Sequence, residues 1–271
     1  MEALSAAFDR LRRERRAALI PFIVGGDPDV ASIGPLLLAL QDAGADVIEV
    51  GVPFSDPLAD GPVIQAASAR ALARGATPER ILKAIGSVRG RLRVPVLCLT
   101  YWNPLVQFHA NGARPAPSGF LRAAAASGVS GIIVPDLPVE EGDALRSAAR
   151  KAGVATVFLA APTSPAARLR AVARASQGFI YYVSVTGTTG ARQALPQDLR
   201  HGVRQLKLLT TKPVCVGFGI SSPAQAAQVA RIADGVIVGS ALVRRISQAR
   251  GRSAAIRQAA RFVRQLKQAM R

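Results

Sequence analysis

The chain has 271 residues, 49% of them hydrophobic, and its 35 Lys and Arg against 17 Asp and Glu give a formal net charge of +18. This length suits a single (β/α)8 barrel of roughly 250 residues, and no apolar run approaches the roughly 18 residues that a membrane-spanning helix needs. The N-terminal segment lacks the apolar core and cleavage site of a secretory signal, and acids are interspersed among its arginines, which argues against an organelle presequence. We therefore expect a cytoplasmic protein.

The charge excess favours anionic partners, which include phosphorylated metabolites, nucleic acid and acidic protein surfaces. It is densest at the C-terminus, where residues 241–271 contain nine basic residues and no acid. Scattered arginines are typical of a solvated surface, and the sequence has no aromatic platform or DNA-reading motif. Nucleic acid is therefore not the partner that we expect, although the origin of the charge stays open.

The cysteines and histidines do not predict a metal site. Cys98 and Cys215 fall in predicted buried strands without CxxC spacing, which is typical of small core residues. His109 and His201 lie far apart in the sequence, in a predicted loop and a predicted helix.

Short apolar runs rich in β-branched residues alternate with helical patterns along nearly the whole chain. The runs predict strands at 18–24, 46–50, 94–99, 131–134, 154–159, 179–183, 214–216 and 235–238. The helical patterns predict helices at 3–16, 33–43, 63–74, 78–89, 120–127, 140–152 and 253–269, with a short one after 239–241. The pattern predicts one parallel (β/α)8 TIM barrel over residues 1–271, with an extra N-terminal helix covering its lower end and a surface insertion at 109–118.

Glu49 lies at the end of the second predicted strand, where a carboxylate is costly to bury and so needs a partner, a shifted pKa or a catalytic task. The loop after it contains glycines and prolines that exclude a helix, together with two more acids, Asp56 and Asp60. Acids at the carboxyl end of a barrel strand and in the next loop are typical of a barrel active site. For Asp56, a role in forming the turn before Pro57 explains the residue equally well.

Glycine-rich loops follow the last three predicted strands, at 184–190, 217–223 and 239–241. Barrel enzymes often bind a substrate phosphate with the loops after strands seven and eight and with the N-terminus of a short helix. Glycine lets backbone N–H groups approach the anion, and the start of a helix adds unpaired donors. Three such loops at one end of the barrel predict a phosphate site, although each alone could be a plain turn.

The stretch EVGVPFSDPLADGPVIQ at 49–65 resembles the signature of the tryptophan synthase alpha subunit family, and TYWNP at 100–104 resembles a second motif of that family. The resemblance implies a (β/α)8 barrel that cleaves indole-3-glycerol phosphate to indole and glyceraldehyde 3-phosphate, with no metal or cofactor in this chain. It also implies a pyridoxal-phosphate beta subunit as partner, which receives indole through a tunnel, in an alpha2-beta2 heterotetramer.

The resemblance also implies roles for single residues. Glu49 would be the catalytic acid and base, Asp60 the carboxylate that accepts the indole N–H, and Tyr181 a third catalytic-site residue. Asp56 and Pro57 would contact the beta subunit. The implied substrate-binding residues are Phe22, Leu99, Tyr101, Thr189, Gly190, Phe218, Gly219, Gly239 and Ser240.

Three other functions stay open on the sequence. A free-standing lyase that releases indole without a partner would carry the same motifs. A sugar-phosphate isomerase could share the fold, but its acid would lie at a different strand end. An anion-binding protein, in which the barrel is a scaffold and the basic charge is the function, would not need both Glu49 and Asp60.

Overall fold

The strands form one parallel sheet that is rolled into a ring. The computed structural model describes residues 2–108, 115–183, 197–217 and 219–271. The strand segments are β1 Ala18–Val24, β2 Ile48–Gly51, β3 Val96–Leu99, β4 Val129–Ile133, β5 Ala155–Val157, β6 Leu159–Ala160, β7 Ile180–Val183, β8 Val214–Gly217 and β9 Gly235–Val238. They pair in the order β5-β4-β3-β2-β1-β9-β8-β7-β6.

The two ends of that order are halves of one strand, so the sheet is a nearly closed barrel of eight strands. β5 pairs with β4, and β6 pairs with β7. Phe158 separates the halves, and its carbonyl oxygen accepts the N–H of Tyr181 at 3.2 Å. The sequence predicted one unbroken strand here, whereas the Phe158 N–H leaves the ladder and donates to Ser176 Oγ at 3.2 Å.

Helices follow the strands and cover the outside of the barrel. The α-helices are α1 Glu2–Arg13, α2 Ile33–Asp42, α3 Pro62–Ala73, α4 Pro78–Gly86, α5 Trp102–Gln107, α6 Ser118–Ala126, α7 Asp143–Ala152, α8 Ala166–Ala175, α9 Gln197–Leu209, α10 Pro223–Ala230, α11 Ser240–Ser247 and α12 Arg252–Ala269. Short 3-10 turns lie at Val30–Ser32, Arg89–Arg91 and Val139–Glu141. Within the described residues, no helix is long and apolar enough to span a membrane.

The predicted α/β barrel with an extra N-terminal helix is confirmed, and β1 and β9 have the predicted bounds. Other element ends differ by a few residues. The turn expected at 100–104 is instead the start of α5, which tolerates Pro104 because the first turn of a helix needs no intrahelical N–H donor there. A single domain over 1–271 stays a prediction, and so does the insertion at 109–118, most of which lies outside the described residues.

The N-terminal helix closes the lower end of the barrel, as predicted. Leu4, Phe8 and Leu11 are buried on one face of α1 and join the cluster that fills the barrel interior. The ring of Phe8 lies 5.5 Å from that of Phe179, measured between centroids. Gly178 has φ +82, and a Cβ there would lie 2.3 Å from the Leu4 side chain, so this contact requires glycine. The functional site is therefore left to the opposite, carboxyl end of the strands.

Candidate active site

Glu49 points into the barrel from the second of the four residues of β2, whereas the sequence placed it at the end of that strand. It pairs in register with Phe22 of β1 and Leu97 of β3, and its side chain is fully buried. Neither carboxylate oxygen has a hydrogen-bond partner among the described residues. Burial, together with the nearby charge of Asp60, raises the pKa of Glu49 to about 8. A carboxyl group in this state can donate and accept a proton near neutral pH.

Asp60 lies on the loop between β2 and α3, close enough to Glu49 for the two carboxyl groups to interact electrostatically. Desolvation raises the pKa of Asp60 to about 6, although a hydrogen bond with the Tyr101 hydroxyl acts in the opposite direction. The side chain of Gln65, in the first turn of α3, donates to the Asp60 carbonyl oxygen at 2.8 Å. The different surroundings of the two acids therefore separate their pKa values, and Asp60 is the more readily ionised of the two.

Tyr101 holds the acid-bearing loop against the end of β3. Its hydroxyl oxygen accepts the N–H of Ala59 at 3.0 Å, and its ring lies 5.3 Å from the ring of Phe54, between centroids. Sequence analysis assigned Tyr101 and Leu99 to substrate binding but did not predict this contact with the loop. Leu99, at the end of β3, is half-buried and opposes Gly51 of β2.

Tyr181 of β7 completes the group of side chains around Glu49. Burial first, and then the charges of Glu49 and Asp60, raise its pKa well above the usual value, so its hydroxyl stays protonated. A Cβ at Gly217 would lie 2.7 Å from the hydroxyl oxygen of Tyr181, which makes glycine necessary for this ring position. Sequence analysis assigned Gly217 only to a loop, because the approach of β7 to β8 cannot be seen in a glycine motif.

A helix N-terminus lies beside these residues. Gly239 precedes α11, and its Cα faces Phe22, since a Cβ there would lie 3.5 Å from the Phe22 ring. The first intrahelical bonds to Gly239 come from Leu242 and Val243, so the preceding amides, including that of the exposed Ser240, remain available as donors. Amides at a helix start favour an anion.

The remaining predicted residues divide into three groups. Gly219, after β8, is exposed with φ +75, a conformation that glycine adopts without strain. Asp56 is exposed and Pro57 half-buried, on the same loop as Asp60 but facing solvent. Thr189, Gly190 and Phe218 lie outside the described residues.

Asp136 is a polar residue of this end of the barrel whose role the sequence analysis missed. It lies in the loop after β4, and its carboxylate oxygens accept the N–H of Trp102 at 2.9 and 3.1 Å. It therefore caps the start of α5, the helix that follows Tyr101. The signal was an Asp between two prolines after a strand, but its target on another loop could not be read from the sequence.

No three His, Cys, Asp or Glu side chains converge as a metal site within the described ranges. What converges is a fully buried acid and a half-buried one with separated pKa values, an aromatic wall and a helix N-terminus, toward the carboxyl ends of parallel strands. These features define an α/β-barrel enzyme that performs proton-transfer chemistry on a small anionic substrate.

Comparison with known proteins identifies the family within this class. The family model described as tryptophan synthase alpha chain matches residues 8–271. The tryptophan synthase alpha chain of Gloeobacter violaceus is 49% identical over 267 residues, which is 98% of this chain and 94% of the relative.

Two solved structures are similar to the fold. The tryptophan synthase subunit alpha of Legionella pneumophila str. Paris superposes with a TM-score of 0.89 at 34% identity, over 99% of this chain and 98% of the other. A structure of Mycobacterium tuberculosis tryptophan synthase has a TM-score of 0.87 at 37% identity, over 99% and 98% of the two chains.

The chain belongs to the tryptophan synthase alpha chain family, the indole-3-glycerol-phosphate lyases of tryptophan biosynthesis. The sequence interpretation of the family and of its reaction is confirmed.

Proposed function

We propose that Glu49 and Asp60 carry out the lyase reaction of this chain, a retro-aldol cleavage of indole-3-glycerol phosphate. The observation that carries this assignment is the complete burial of Glu49 without a hydrogen-bond partner among the described residues, next to a second acid. A buried carboxyl group without a bonding partner costs stability, so a catalytic role explains its presence better than a structural one.

Glu49 alone can carry both proton transfers of the reaction, because the proton that it gives to the indole ring is replaced by the one that it takes from the substrate hydroxyl. Protonated Glu49 donates to C3 of the indole ring, and the Asp60 carboxylate accepts the indole N–H and stabilises the positive charge that develops on the ring. Ionised Glu49 then takes the proton of the side-chain hydroxyl next to the ring. As the carbonyl of glyceraldehyde 3-phosphate forms, the bond to C3 breaks and its electron pair restores the aromatic ring.

The surrounding residues would hold the two parts of the substrate. Phe22, Leu99 and Tyr101 would contact the indole ring, and the Tyr181 hydroxyl, which stays protonated, would donate a hydrogen bond to the reacting side chain. The phosphate would bind at the start of α11, through Gly239 and Ser240, with Gly219 on the neighbouring loop. Thr189, Gly190 and Phe218 remain predicted phosphate ligands that lie outside the described residues.

We further propose that this chain passes indole to a tryptophan synthase beta subunit in an alpha2-beta2 heterotetramer in the cytoplasm, with pyridoxal phosphate held by the beta subunit. Asp56 and Pro57 would lie in the contact. The exposed position of the neighbouring Leu58 supports this assignment, because 91% of that apolar side chain is exposed and covering it would be favourable.

Measurement of indole release tests both proposals. Purified chain with indole-3-glycerol phosphate should produce indole and glyceraldehyde 3-phosphate in equal amounts. Addition of a beta subunit should increase the rate and lower the free indole in the presence of serine. A chain that turns over at its full rate without any response to the beta subunit would instead be a free-standing lyase.

A further inference from the structure

Asp27 is a buried carboxylate that the proposed chemistry does not use. It lies in the loop after β1, at the carboxyl end of the barrel, and is only 3% exposed. Arg70 of α3 binds it side-on, with Nε 3.2 Å from Oδ1 and Nη2 2.7 Å from Oδ2. Two parallel charge-assisted bonds fix direction as well as distance, which a single bond does not.

The backbone of the same loop also packs directly on α3. Gly26 has φ +97, and a Cβ there would lie 3.2 Å from Ala71 of α3 and 2.6 Å from Ala76, which follows the helix. Arg74 reaches back from the end of α3 to donate to the Pro28 carbonyl oxygen at 2.5 Å. The second half of α3 is therefore held against the β1 loop by close packing and by two arginines.

The first half of α3 holds the loop that carries Asp60. Pro62 begins the helix two residues after Asp60, and Gln65 donates to the Asp60 carbonyl oxygen at 2.8 Å. Gln65 and Arg70 belong to one continuous helix, so a shift of α3 at Arg70 moves the backbone of Asp60.

Glu49 is also placed by β1, through the sheet. Phe22 is its partner in register, and the Gly25 N–H donates to the Gly51 carbonyl oxygen at 2.8 Å. β1 thus positions Glu49 through its pairing with β2, and it positions Asp60 through the loop after β1 and α3.

We propose that Asp27 is a positioning residue, which fixes α3 through Arg70 and thereby sets Asp60 at its working distance from Glu49. This inference rests on the proposed roles of the two acids. It predicts that loss of the ion pair changes the distance between Glu49 and Asp60, and that substrate binding is affected less.

The first test is Asp27→Asn, which keeps the shape of the side chain and removes its charge. A misplacement of about 1 Å can cost on the order of 100-fold in rate, so we expect kcat for indole release to fall about 10- to 100-fold, with a smaller change in KM. Arg70→Lys, which keeps the charge but loses the side-on geometry, should lie between wild type and Asp27→Asn.

The pH profile separates positioning from a merely structural role. The charge of Asp60 helps to raise the pKa of Glu49, so a displaced Asp60 should lower that pKa and move the alkaline limb of kcat/KM to lower pH. The other described groups coupled to Glu49 are Tyr181, Cys98 and Cys215. Burial raises the pKa of all three, so they stay neutral in this range.

Arg252→Gln is the matched control, because Arg252 forms an ion pair with Asp29 of the same loop at 3.2 Å but lies on α12 rather than on α3. It should leave kcat and the alkaline limb unchanged. Wild-type kcat and an unshifted limb in folded Asp27→Asn would overturn the inference, and so would the same result in Arg70→Lys if Asp27→Asn does not fold. Full activity in Glu49→Gln would refute the proposed function itself.

Discussion

Asp46 and Glu49 are two buried acids three residues apart, one just before β2 and one within it, and their surroundings differ completely. Asp46, at the lower end of the barrel, is 5% exposed, whereas Glu49, which lies nearer the upper, carboxyl end, is fully buried. The Asp46 carboxylate accepts the N–H of Leu19 at 2.8 Å and forms an ion pair with the ammonium group of Lys267 at 2.5 Å. Glu49 has neither kind of partner among the described residues.

The contrast suggests different roles for the two acids: Asp46 stabilises the fold, whereas Glu49 is available for proton transfer. The ion pair of Asp46 with Lys267 joins α12 to the lower end of the barrel, because Lys267 is on that helix. An unsatisfied carboxylate keeps a raised pKa and can exchange protons with a substrate. The lower end of the barrel gives its buried acid Asp46 charged and hydrogen-bonding partners, whereas Glu49 has none among the described residues, at a cost in stability that its proposed catalytic role explains.

The largest effect should come from Glu49→Gln, which removes the exchangeable proton at the upper end and keeps the shape. General acid and base contributions reach about 10⁴-fold, and Glu49 has both roles in the proposed mechanism, so kcat should fall by about that factor or more while a substrate analogue still binds. Steady-state indole release together with analogue titration measures this. Turnover within about tenfold of wild type would contradict the assignment.

The same variant should change how stability depends on pH. The pKa of Glu49 is raised from 4.5 to about 8 in the folded chain. Between these values the unfolded chain has lost the proton and the folded chain retains it, so wild-type stability falls as the pH rises through this window. Glu49→Gln should lack that fall and be more stable than wild type at pH 8, which denaturant unfolding at a series of pH values can measure.

Asp46→Asn should have the opposite outcome, a loss of stability with unchanged chemistry. Removing one partner of a buried ion pair costs about 3–5 kcal/mol, and Lys267 would remain with only 12% of its side chain exposed. Chemical denaturation should show this loss, and kcat of the folded protein should equal that of wild type. Asp42→Asn is the control, because its pair with Arg93 is largely exposed and should contribute about 0–1 kcal/mol.

The sequence predicted this contrast only in part. Short apolar runs located the strands, helical patterns located the helices, and the motif around Glu49 and Asp60 indicated the proposed catalytic end, because these signals are local in the chain. The contacts that satisfy Asp46 and Asp27 come from Lys267 and Arg70, which are distant in sequence. Pairing of that kind depends on how helices pack around the ring, and no local pattern encodes it.

Gly239→Ala tests the helix N-terminus at the upper end. A Cβ there would meet Phe22 at 3.5 Å and Ile64 at 3.8 Å, which are ordinary contacts, so the variant should fold. If the substrate phosphate binds over this turn, the methyl group should disturb hydrogen bonds to a charged group worth about 1.5–3 kcal/mol each, and KM should rise about 10- to 100-fold.

Gly90→Ala is the matched control, because a Cβ at Gly90 meets nothing within 4 Å. Gly219→Val is a poorer probe, since φ +75 at Gly219 would add backbone strain to any effect on the anion. An unchanged KM in Gly239→Ala would place the phosphate elsewhere.

The smallest effect should come from Asp56, an acid of the upper end that faces solvent rather than the barrel interior. The Ser55 hydroxyl donates to its carboxylate at 2.5 Å, and the exposed Leu58 follows two residues later. On a chain with a net charge of +18, an acid beside an exposed apolar side chain suits a cation on the beta subunit. Asp56→Ala should therefore leave the basal rate of the isolated chain nearly unchanged.

What Asp56→Ala should reduce is the stimulation by the beta subunit, because the partner would lose a charge-assisted contact worth about 1.5–3 kcal/mol when desolvated and less when water reaches it. Titration of beta subunit into wild type and variant, followed by indole formation, measures this. Asp9→Ala, an exposed acid on α1 at the opposite end of the barrel, is the control and should respond as wild type does. Equal stimulation in all three proteins would mean that Asp56 only shapes the turn before Pro57.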